Sequence, residues 1–179
     1  MRKVDMTIHL REITADTLIR DAETTSRLAH AIWTEHYLPL IGAEMIAYML
    51  ENFQSPEQIR RDIQDNGFRY WLAEDTVTDQ AIAYCAAFPQ SNLLFLSKIY
   101  VLNDYRHCGI ARGFLDLLKT WCAEFDLFRV QLMVARSNTD SIAAYQKMGF
   151  KLIGTRRTGI GGGFDMNDYV MELQIDTRD

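Results

Sequence analysis

The sequence has few cysteines, no long apolar run and no excess of basic residues, and each shortage excludes a class of protein. Its three cysteines, Cys85, Cys108 and Cys122, contain no C-x-x-C pair. This odd number without paired spacing predicts neither a disulfide framework nor a metal site, and it favours a reducing, cytoplasmic location. No segment approaches the roughly 18 apolar residues of a membrane span, and no apolar core of a secretory signal follows the N-terminal basic pair.

The balance of charge argues against a general nucleic-acid binder. The chain has 19 basic and 24 acidic residues, which gives a formal net charge of −5. A mildly acidic surface attracts neither nucleic acid nor an anionic membrane, and its long-range field slightly favours a cationic substrate. We therefore expect neither a nucleic-acid nor a membrane partner.

Length and composition indicate one globular domain over residues 1–179. Apolar residues make up 48% and charged residues 24% of the chain, without repeats, low-complexity segments or linkers. A chain of this size can bury about 70% of the surface that its unfolded form exposes. It needs no cross-links to fold.

The first part of the chain predicts one strand and then helices. Ser55, Pro56 and Gln58 form the most specific signal, because serine at the N-cap, proline at the first position and glutamine two residues later typically start a helix. The predicted elements are a strand from Met6 to Ile13, a helix from Ala15 to about Trp33 capped by Thr14 or Asp16, an irregular aromatic segment from Trp33 to Gly42, and helices from Ala43 to Phe53 and from Pro56 to Asp65 or Asn66.

Strands dominate the second part. Gln131 is the only polar residue between Val130 and Val134, which is typical of a strand in the middle of a sheet. The predicted elements are strands at Phe68–Glu74, Ala81–Phe88 and Leu93–Leu102, a helix from Gly109 to about Phe125 with Ile110, Phe114, Leu117, Leu118, Trp121 and Phe125 on its apolar face, the strand Val130–Val134, a helix from Thr139 to Met148 capped by Asn138, and strands at Phe150–Thr155 and Met166–Ile175. Arg156 to Phe164, with three consecutive glycines, predicts a flexible hairpin connection.

The stretch from Leu93 to Asp126 carries the strongest functional signal. It predicts a strand, a tight loop at Arg106-His107-Cys108-Gly109-Ile110-Ala111, and the start of a long helix. Gly109 allows the backbone to approach a ligand closely, and a helix N-terminus presents unpaired N–H groups with a partial positive charge. This combination suits an anion such as a pyrophosphate.

These residues resemble the GNAT superfamily of acyl-CoA N-acyltransferases. The loop from Arg106 to Ala111 matches the R/Q-x-x-G-x-G/A signature of that family, and Asn138, Ala144-Tyr145 and Gly149-Phe150 are similar to its second conserved segment. Within the family, the stretch Tyr37 to Gly42 together with Tyr48-Met49-Leu50 resembles bacterial members that include polyamine acetyltransferases. The resemblance implies an α/β (α+β) fold with a mixed, mostly antiparallel sheet and helices on both faces.

The resemblance also implies a donor and a site. It predicts acetyl transfer from acetyl-CoA to a primary amine by direct attack, with the signature loop binding the diphosphate through backbone amides. The strand before the loop would pair with the pantetheine arm after splaying away from the strand that follows the loop. The implied donor-binding residues are Ile99, Tyr100, Val101, Arg106, His107, Cys108, Gly109, Ile110, Ala111 and Asn138.

Tyr145 matches the position of the family's general acid for the departing thiolate. A phenol with a pKa near 10 is protonated at neutral pH, but a thiol titrates near 8.5, so full proton transfer is uphill by about 2 kcal/mol. We therefore expect Tyr145 to act as a hydrogen-bond donor to the developing thiolate. A core aromatic residue at Tyr145, a plain helix cap at Asn138 and an ordinary strand-to-helix turn at the loop are the alternatives.

The base that deprotonates the acceptor is not evident. Some family members use a glutamate on the strand before the loop, whereas this strand offers Ser97 and Lys98. Glu35, His36, Glu44 and Glu74 are alternatives that the sequence does not rank, and Trp33, Tyr37 and Tyr48 are either core residues or walls for a cationic amine.

Several functional alternatives stay open. A binding module that holds acetyl-CoA without turnover, as a sensor or a subunit of a complex, is consistent with the missing strand carboxylate. The donor could also be a longer acyl-CoA, and the acceptor a small amine or a peptide or protein amine. The glycine run Gly161-Gly162-Gly163 favours a hairpin beside the acceptor opening over a phosphate loop, because no helix follows it. A homodimer is one option for the oligomeric state.

Overall fold

The structure, a computed structural model, describes residues 7–175, except for the side chain of Leu40. Within this range no helix is long and apolar enough to cross a membrane. The helices are α1 (Leu18–His36), α2 (Leu38–Ile41), α3 (Ala43–Phe53), α4 (Pro56–Asp65), α5 (Ile110–Glu124) and α6 (Thr139–Lys147). The strands are β1 (Ile8–Glu12), β2 (Arg69–Asp75), β3 (Gln80–Gln90), β4 (Leu93–Val101), β5 (Arg129–Ala135), β6 (Lys151–Gly161) and β7 (Phe164–Gln174).

The strands form one seven-stranded, mostly antiparallel sheet in the order β1-β2-β3-β4-β5-β7-β6. β1 pairs antiparallel with β2, and β7 pairs antiparallel with both β5 and β6, whereas β4 and β5 run parallel. Strands β4 and β5 are joined through α5, as a parallel pair requires a crossover connection. Strand β5 thus lies between two neighbours, which confirms its predicted place inside the sheet.

The chain forms two compact units. Unit 1 comprises residues 7–86 and 98–114, and unit 2 comprises residues 87–97 and 115–175. Strands β3 and β4 and helix α5 contribute residues to both units.

Unit 1 has a core of aliphatic and aromatic side chains from its helices and from β2 and β3. Helix α4 begins as predicted, because Ser55 Oγ accepts a hydrogen bond from the backbone N–H of Gln58 at 3.3 Å. The buried cluster includes Leu28, Ile32, Ile46, Leu50, Ile59, Leu72 and Tyr84. Burying one side chain of this kind stabilises the fold by roughly 1.5–3 kcal/mol, so packing rather than helix propensity holds these helices in place.

One arginine joins three elements of unit 1. Arg11 on β1 donates to both carboxylate oxygens of Asp21 on α1, at 2.5 and 3.0 Å, and to Glu74 on β2 at 2.6 and 2.9 Å. Asp21 is almost completely buried, with 1% of its surface exposed. The charge of Asp21 is therefore compensated inside the unit, as a buried carboxylate requires.

In unit 2, the strands alternate between buried and more open positions. Along β5, Val130, Leu132 and Val134 are buried, whereas Arg129, Gln131, Met133 and Ala135 are half-buried. Helix α6 begins at the predicted cap, since Asn138 Oδ1 accepts from the backbone N–H of Ser141 at 3.3 Å. It ends before Gly149, whose φ of 99° suits glycine.

Two predictions about the helical half are wrong. The segment from Trp33 to Gly42 is not irregular: α1 continues to His36, α2 follows, and the break falls at Gly42 with φ of 83°. The aromatic rings of this segment pack in the core of unit 1, and this packing overrides their low helix propensity. Helix α1 begins at Leu18 rather than Ala15, because residues 15–17 form a turn in which Thr17 Oγ1 accepts from the N–H of Thr14.

Two predictions about the later elements also need correction. Arg156 to Gly161 belongs to β6 and pairs with β7, so the hairpin connection shrinks to the glycines at 162 and 163. Phe125 does not share the buried face of α5: it follows the end of the helix and is 56% exposed. The predicted start at Met6 lies outside the described residues.

Candidate functional site

The signature loop connects β4 to α5 through two left-handed residues. After β4 the chain makes a 3₁₀ turn at Asn103–Tyr105, and Arg106 is extended. His107 and Gly109 then have φ of 64° and 84°. Left-handed backbone costs a non-glycine residue roughly 1–2 kcal/mol, and such strain is typical of ligand-binding loops.

The first N–H groups of α5 lie outside the helical hydrogen-bond ladder, next to an exposed loop. Gly109 O accepts the first helical hydrogen bond, from Gly113 N–H at 3.0 Å, so the N–H groups of Ile110, Ala111 and Arg112 precede the helical ladder. A Cβ added at Gly109 would meet no atom within 4 Å. His107, Cys108 and Gly109 are all exposed. These N–H groups lie at the positive end of a 15-residue helix, beside an exposed loop.

Gly113, which the sequence analysis did not single out, allows α5 to lie close to β1. A Cβ at this position would lie 2.8 Å from Leu10 Cδ1. The R-x-x-G-x-A-R-G spacing, with a second glycine one turn after Gly109, was the available signal.

Arg106 is held inside the loop. Its Nε donates to Val101 O and its Nη1 donates to His36 Nδ1, both at 3.4 Å. These contacts place His36, at the end of α1, next to the signature loop. Because a guanidinium can only donate, Nδ1 is the acceptor, and a neutral imidazole then carries its proton on Nε2.

The parallel ladder between β4 and β5 is short. It joins Leu94, Phe95 and Leu96 to Val130, Gln131 and Leu132, while β5 continues its pairing with β7 up to Ala135. Ile99, Tyr100 and Val101 follow the last residue of this ladder. The ends of both strands thus run beyond their shared hydrogen bonds.

Asn138 and Tyr145 both belong to α6 or its cap in unit 2. Asn138 is buried, with 3% of its surface exposed, and caps the helix. Tyr145 is half-buried, and its ring meets Phe150 edge-on with centroids 5.8 Å apart. Asn138 therefore has the capping role of the simpler interpretation.

The aromatic residues near the end of α1 form one packed cluster in unit 1. Trp33 lies 4.8 Å from Tyr37 and 5.4 Å from Tyr100 between ring centroids, and Tyr100 lies 5.2 Å from Tyr84. Trp33 and Tyr84 are buried, whereas Tyr37 and Tyr100 are half-buried. Tyr48 packs elsewhere, against Phe53. The two half-buried rings are the ones that a ligand could reach.

The candidate bases differ in their surroundings. Glu35 and Glu44 are exposed, and Glu74 is bound by Arg11. Lys98, which stands on the strand where some relatives carry a glutamate, is buried and pairs with Asp62 at 3.0 Å. Burial lowers the pKa of Lys98, and Asp62 partly offsets that effect.

A carboxylate that the sequence analysis missed lies on β7. Asp168 is buried, with 6% of its surface exposed, and its Oδ1 has no hydrogen-bond partner among the described residues. Burial raises the pKa of this carboxyl group. The only signal in the sequence was an aspartate inside a strand, where this residue type is disfavoured.

Known proteins match this chain in sequence and in fold. Residues 27–150, well over half of the chain, match the Acetyltransferase (GNAT) family. The chain belongs to the GNAT acetyltransferase family. The predicted family resemblance is thereby confirmed, and the matched region includes the signature loop, Asn138 and Tyr145.

Named GNAT relatives match part of the chain. An uncharacterized N-acetyltransferase of Mycobacterium tuberculosis is 37% identical over 80 residues, which are 45% of this chain and 51% of the relative. An aminoglycoside N(6')-acetyltransferase type 1 of Acinetobacter baumannii is 31% identical over 102 residues, 52% of this chain and 70% of the relative. The chain thus spans about half the length of the mycobacterial relatives that it matches.

Solved GNAT structures share the fold over most of the chain. The PaiA N-acetyltransferase of Thermoplasma acidophilum, in complex with coenzyme A, superposes with a TM-score of 0.74 at 21% identity, covering 94% of this chain and 99% of that protein. A putative GNAT acetyltransferase of Desulfovibrio desulfuricans superposes with a TM-score of 0.70 at 15% identity, covering 95% of this chain and 100% of that protein. The predicted fold class is confirmed.

Proposed function

We propose that this protein is an N-acetyltransferase that moves an acetyl group from acetyl-CoA to a primary amine, in the cytoplasm. The observation that carries the proposal is the loop at Gly109, where open space adjoins the N–H groups at the start of α5. A diphosphate is the part of acetyl-CoA that requires such a site.

In this proposal the donor extends from the loop along β4. The backbone of His107, Cys108, Gly109, Ile110 and Ala111 binds the diphosphate, while Arg106 stays within the loop and keeps it in shape. Ile99, Tyr100 and Val101 pair with the pantetheine arm, and the short ladder between β4 and β5 supports that role. A backbone N–H of this strand polarises the thioester carbonyl.

Tyr145 and Asn138 complete the proposed donor site. Tyr145 donates a hydrogen bond to the thiolate as it departs, and Asn138 binds the pantetheine arm. A half-buried phenol on a short helix is suited to this task because its hydroxyl can donate a hydrogen bond.

The acceptor must lose a proton before it attacks. An alkyl amine with a pKa near 10.4 is a free base in only about 1 molecule in 2,500 at pH 7, a penalty of about 4.6 kcal/mol. Direct attack on the thioester then forms the amide and releases coenzyme A. Two relatives are named aminoglycoside acetyltransferases, and one structural neighbour is named for the alanine of ribosomal protein S18, so we include both small amines and peptide amines as candidates.

Calorimetric titration with acetyl-CoA, followed by a thiol-release assay, tests the proposal. We expect saturable binding of acetyl-CoA and thiol release with at least one of four acceptors: spermidine, kanamycin A, lysine or a tripeptide with a free N-terminus. Failure to bind acetyl-CoA would contradict the proposal.

A second candidate is a protein that binds acetyl-CoA without turnover. The observation that favours it is Lys98, which replaces a carboxylate on β4 and is already paired with Asp62. Binding of acetyl-CoA without thiol release for any of the four acceptors would support this candidate.

A further inference from the structure

Unit 2 contains two buried polar atoms that no described residue satisfies. One is Oδ1 of Asp168 on β7, and the other is the hydroxyl oxygen of Thr158 on β6. Buried polar groups are nearly always hydrogen-bonded, and a carboxylate without a partner is the costlier exception. Two such atoms on adjacent strands indicate a missing partner.

The strand register places both side chains on one face of the sheet. Asp168 is opposite Arg156 and Thr158 is opposite Met166 in the antiparallel pairing of β6 with β7. Opposite residues share a face, and so do residues two apart on one strand. Asp168 and Thr158 are thus diagonal neighbours, close enough to contact one ligand group.

No charged group of the described residues neutralises Asp168. On β5 it is opposite Ala135, which has no polar side-chain atom. Arg156 is opposite on β6, but it is exposed, and burial alone, without a cationic partner, shifts the pKa of Asp168. The carboxylate is therefore available to a cation from outside the chain.

The position of Asp168 is close to a predicted donor-site residue within unit 2. Ala135 ends β5, and its carbonyl accepts from the N–H of Asn138 at 2.9 Å. In the next step of the register, Arg136 N–H donates to Asn167 O at 3.3 Å. Asp168 is thus paired with Ala135, the residue whose carbonyl begins the turn that carries Asn138.

We propose that Asp168 and Thr158 bind the ammonium group of the acceptor. This assignment rests on the proposed function and identifies the acceptor class as primary ammonium compounds. The carboxylate supplies the opposite charge and the threonine hydroxyl a further acceptor, so two of the three N–H bonds of the ammonium are satisfied. Asp168 is 6% exposed, so access of a ligand to its buried Oδ1 requires rotation of the carboxyl about χ2.

Direct binding of amines tests this assignment without turnover. Four probes are titrated into the full chain: 1,5-diaminopentane, spermidine, kanamycin A and a tripeptide with a free N-terminus. We expect at least one to bind, and its dissociation constant to rise at least tenfold in Asp168→Asn and severalfold in Thr158→Val. The alcohol 1-pentanol, which lacks the charge, should not compete.

Asp165→Asn is the matched control. Asp165 lies three residues earlier on the same strand, is exposed and pairs with Arg157 at 2.6 Å. Its variant should bind the amine like the wild type. Absence of amine binding by the wild type, or equal affinity in Asp168→Asn, would overturn the assignment. Acetyl-CoA titration of the same samples reports separately on the proposed function, because Asp168→Asn should leave donor affinity unchanged.

Discussion

At the scale of single residues, the donor loop depends on backbone conformation more than on side-chain chemistry. Gly109 combines a left-handed φ with empty space at the position of a Cβ. Gly42 has nearly the same φ, 83° against 84°, and the same empty surroundings, but it lies between α2 and α3. The pair therefore separates backbone strain from ligand contact.

We predict that Gly109→Ala weakens acetyl-CoA binding at least tenfold. The methyl group would occupy the space next to the backbone amides that we propose for the diphosphate. Gly109→Ala should lose about 1–2 kcal/mol of unfolding free energy, because it forces alanine to a positive φ. Gly42→Ala should lose about 1–3 kcal/mol, because its φ of 83° and ψ of 161° lie in a region that essentially only glycine adopts. Isothermal titration with acetyl-CoA and urea unfolding measure the two effects. Equal donor affinity in the two variants would contradict the role of the loop.

Tyr145→Phe tests the proposed hydrogen bond to the thiolate. The substitution keeps the ring that packs on Phe150 and removes the hydroxyl. We expect kcat to fall about a hundredfold, because a positioned proton donor contributes typically that much or more. The affinity for acetyl-CoA should change less than threefold. Steady-state thiol release gives kcat, and a kcat close to that of the wild type would exclude the role.

The residue scale also shows where sequence reasoning ends. The signature loop and Tyr145 were predicted from their match to the motifs of the family, and their roles stay predictions. Asp168 was not found, since its significance comes from burial and from the neutral residue opposite it on β5. Neither property can be read from a single aspartate in a polar strand.

At the scale of elements, local signals located the helices better than the loops. Ser55 and Asn138 cap their helices as predicted, and α3 has the predicted bounds from Ala43 to Phe53. The aromatic segment after Trp33 was wrongly predicted as irregular, because its helical state depends on packing against rings from β3 and β4. Strand β6 was predicted too short, because pairing with β7 includes its glycines in the strand, with register shifts at Leu152/Gly154 and Gly159/Gly161.

The ion pair between Arg11 on β1 and Asp21 on α1 gives a prediction about how stability depends on pH. Burial raises the pKa of Asp21, but hydrogen bonds from Arg11, Thr17 and Arg20 outweigh it and lower the pKa overall. A carboxyl group with a lowered pKa stabilises the fold above its unfolded pKa, and this contribution disappears as the pH falls through the folded pKa. We predict that Asp21→Asn lowers the free energy of unfolding by about 2–3 kcal/mol at pH 7.

The difference in unfolding free energy between the wild type and Asp21→Asn should shrink as the pH falls below about 4. Urea unfolding at pH 7 and at intervals down to pH 3 measures it. Asp116→Asn serves as the control, since Asp116 is exposed and lies 3.8 Å from Lys119, a surface pair worth less than about 1 kcal/mol. A constant difference at all pH values would contradict the electrostatic explanation.

At the scale of the whole molecule, the donor should act as a stabiliser. A ligand that binds only the folded chain, at a concentration about 100 times its Kd, raises the free energy of unfolding by about 2.7 kcal/mol. For a chain of this length, this corresponds to a rise in Tm of roughly 5–11 °C. We predict this shift for acetyl-CoA and a much smaller one for pantetheine, which lacks the diphosphate. Thermal unfolding at two donor concentrations measures both, and equal shifts would contradict the diphosphate site.

The exposed Cys108 makes the donor loop accessible to chemistry without any change of sequence. Cys85 and Cys122 are buried, so thiol-directed reagents reach Cys108 first. Its Sγ lies 3.5 Å from Arg106 O, within the loop that we assign to the diphosphate. A maleimide fluorophore attached here would occupy the donor position, and the labelling rate would report on occupancy by acetyl-CoA. Under the proposed function, Cys108 would therefore report on donor binding in the natural sequence.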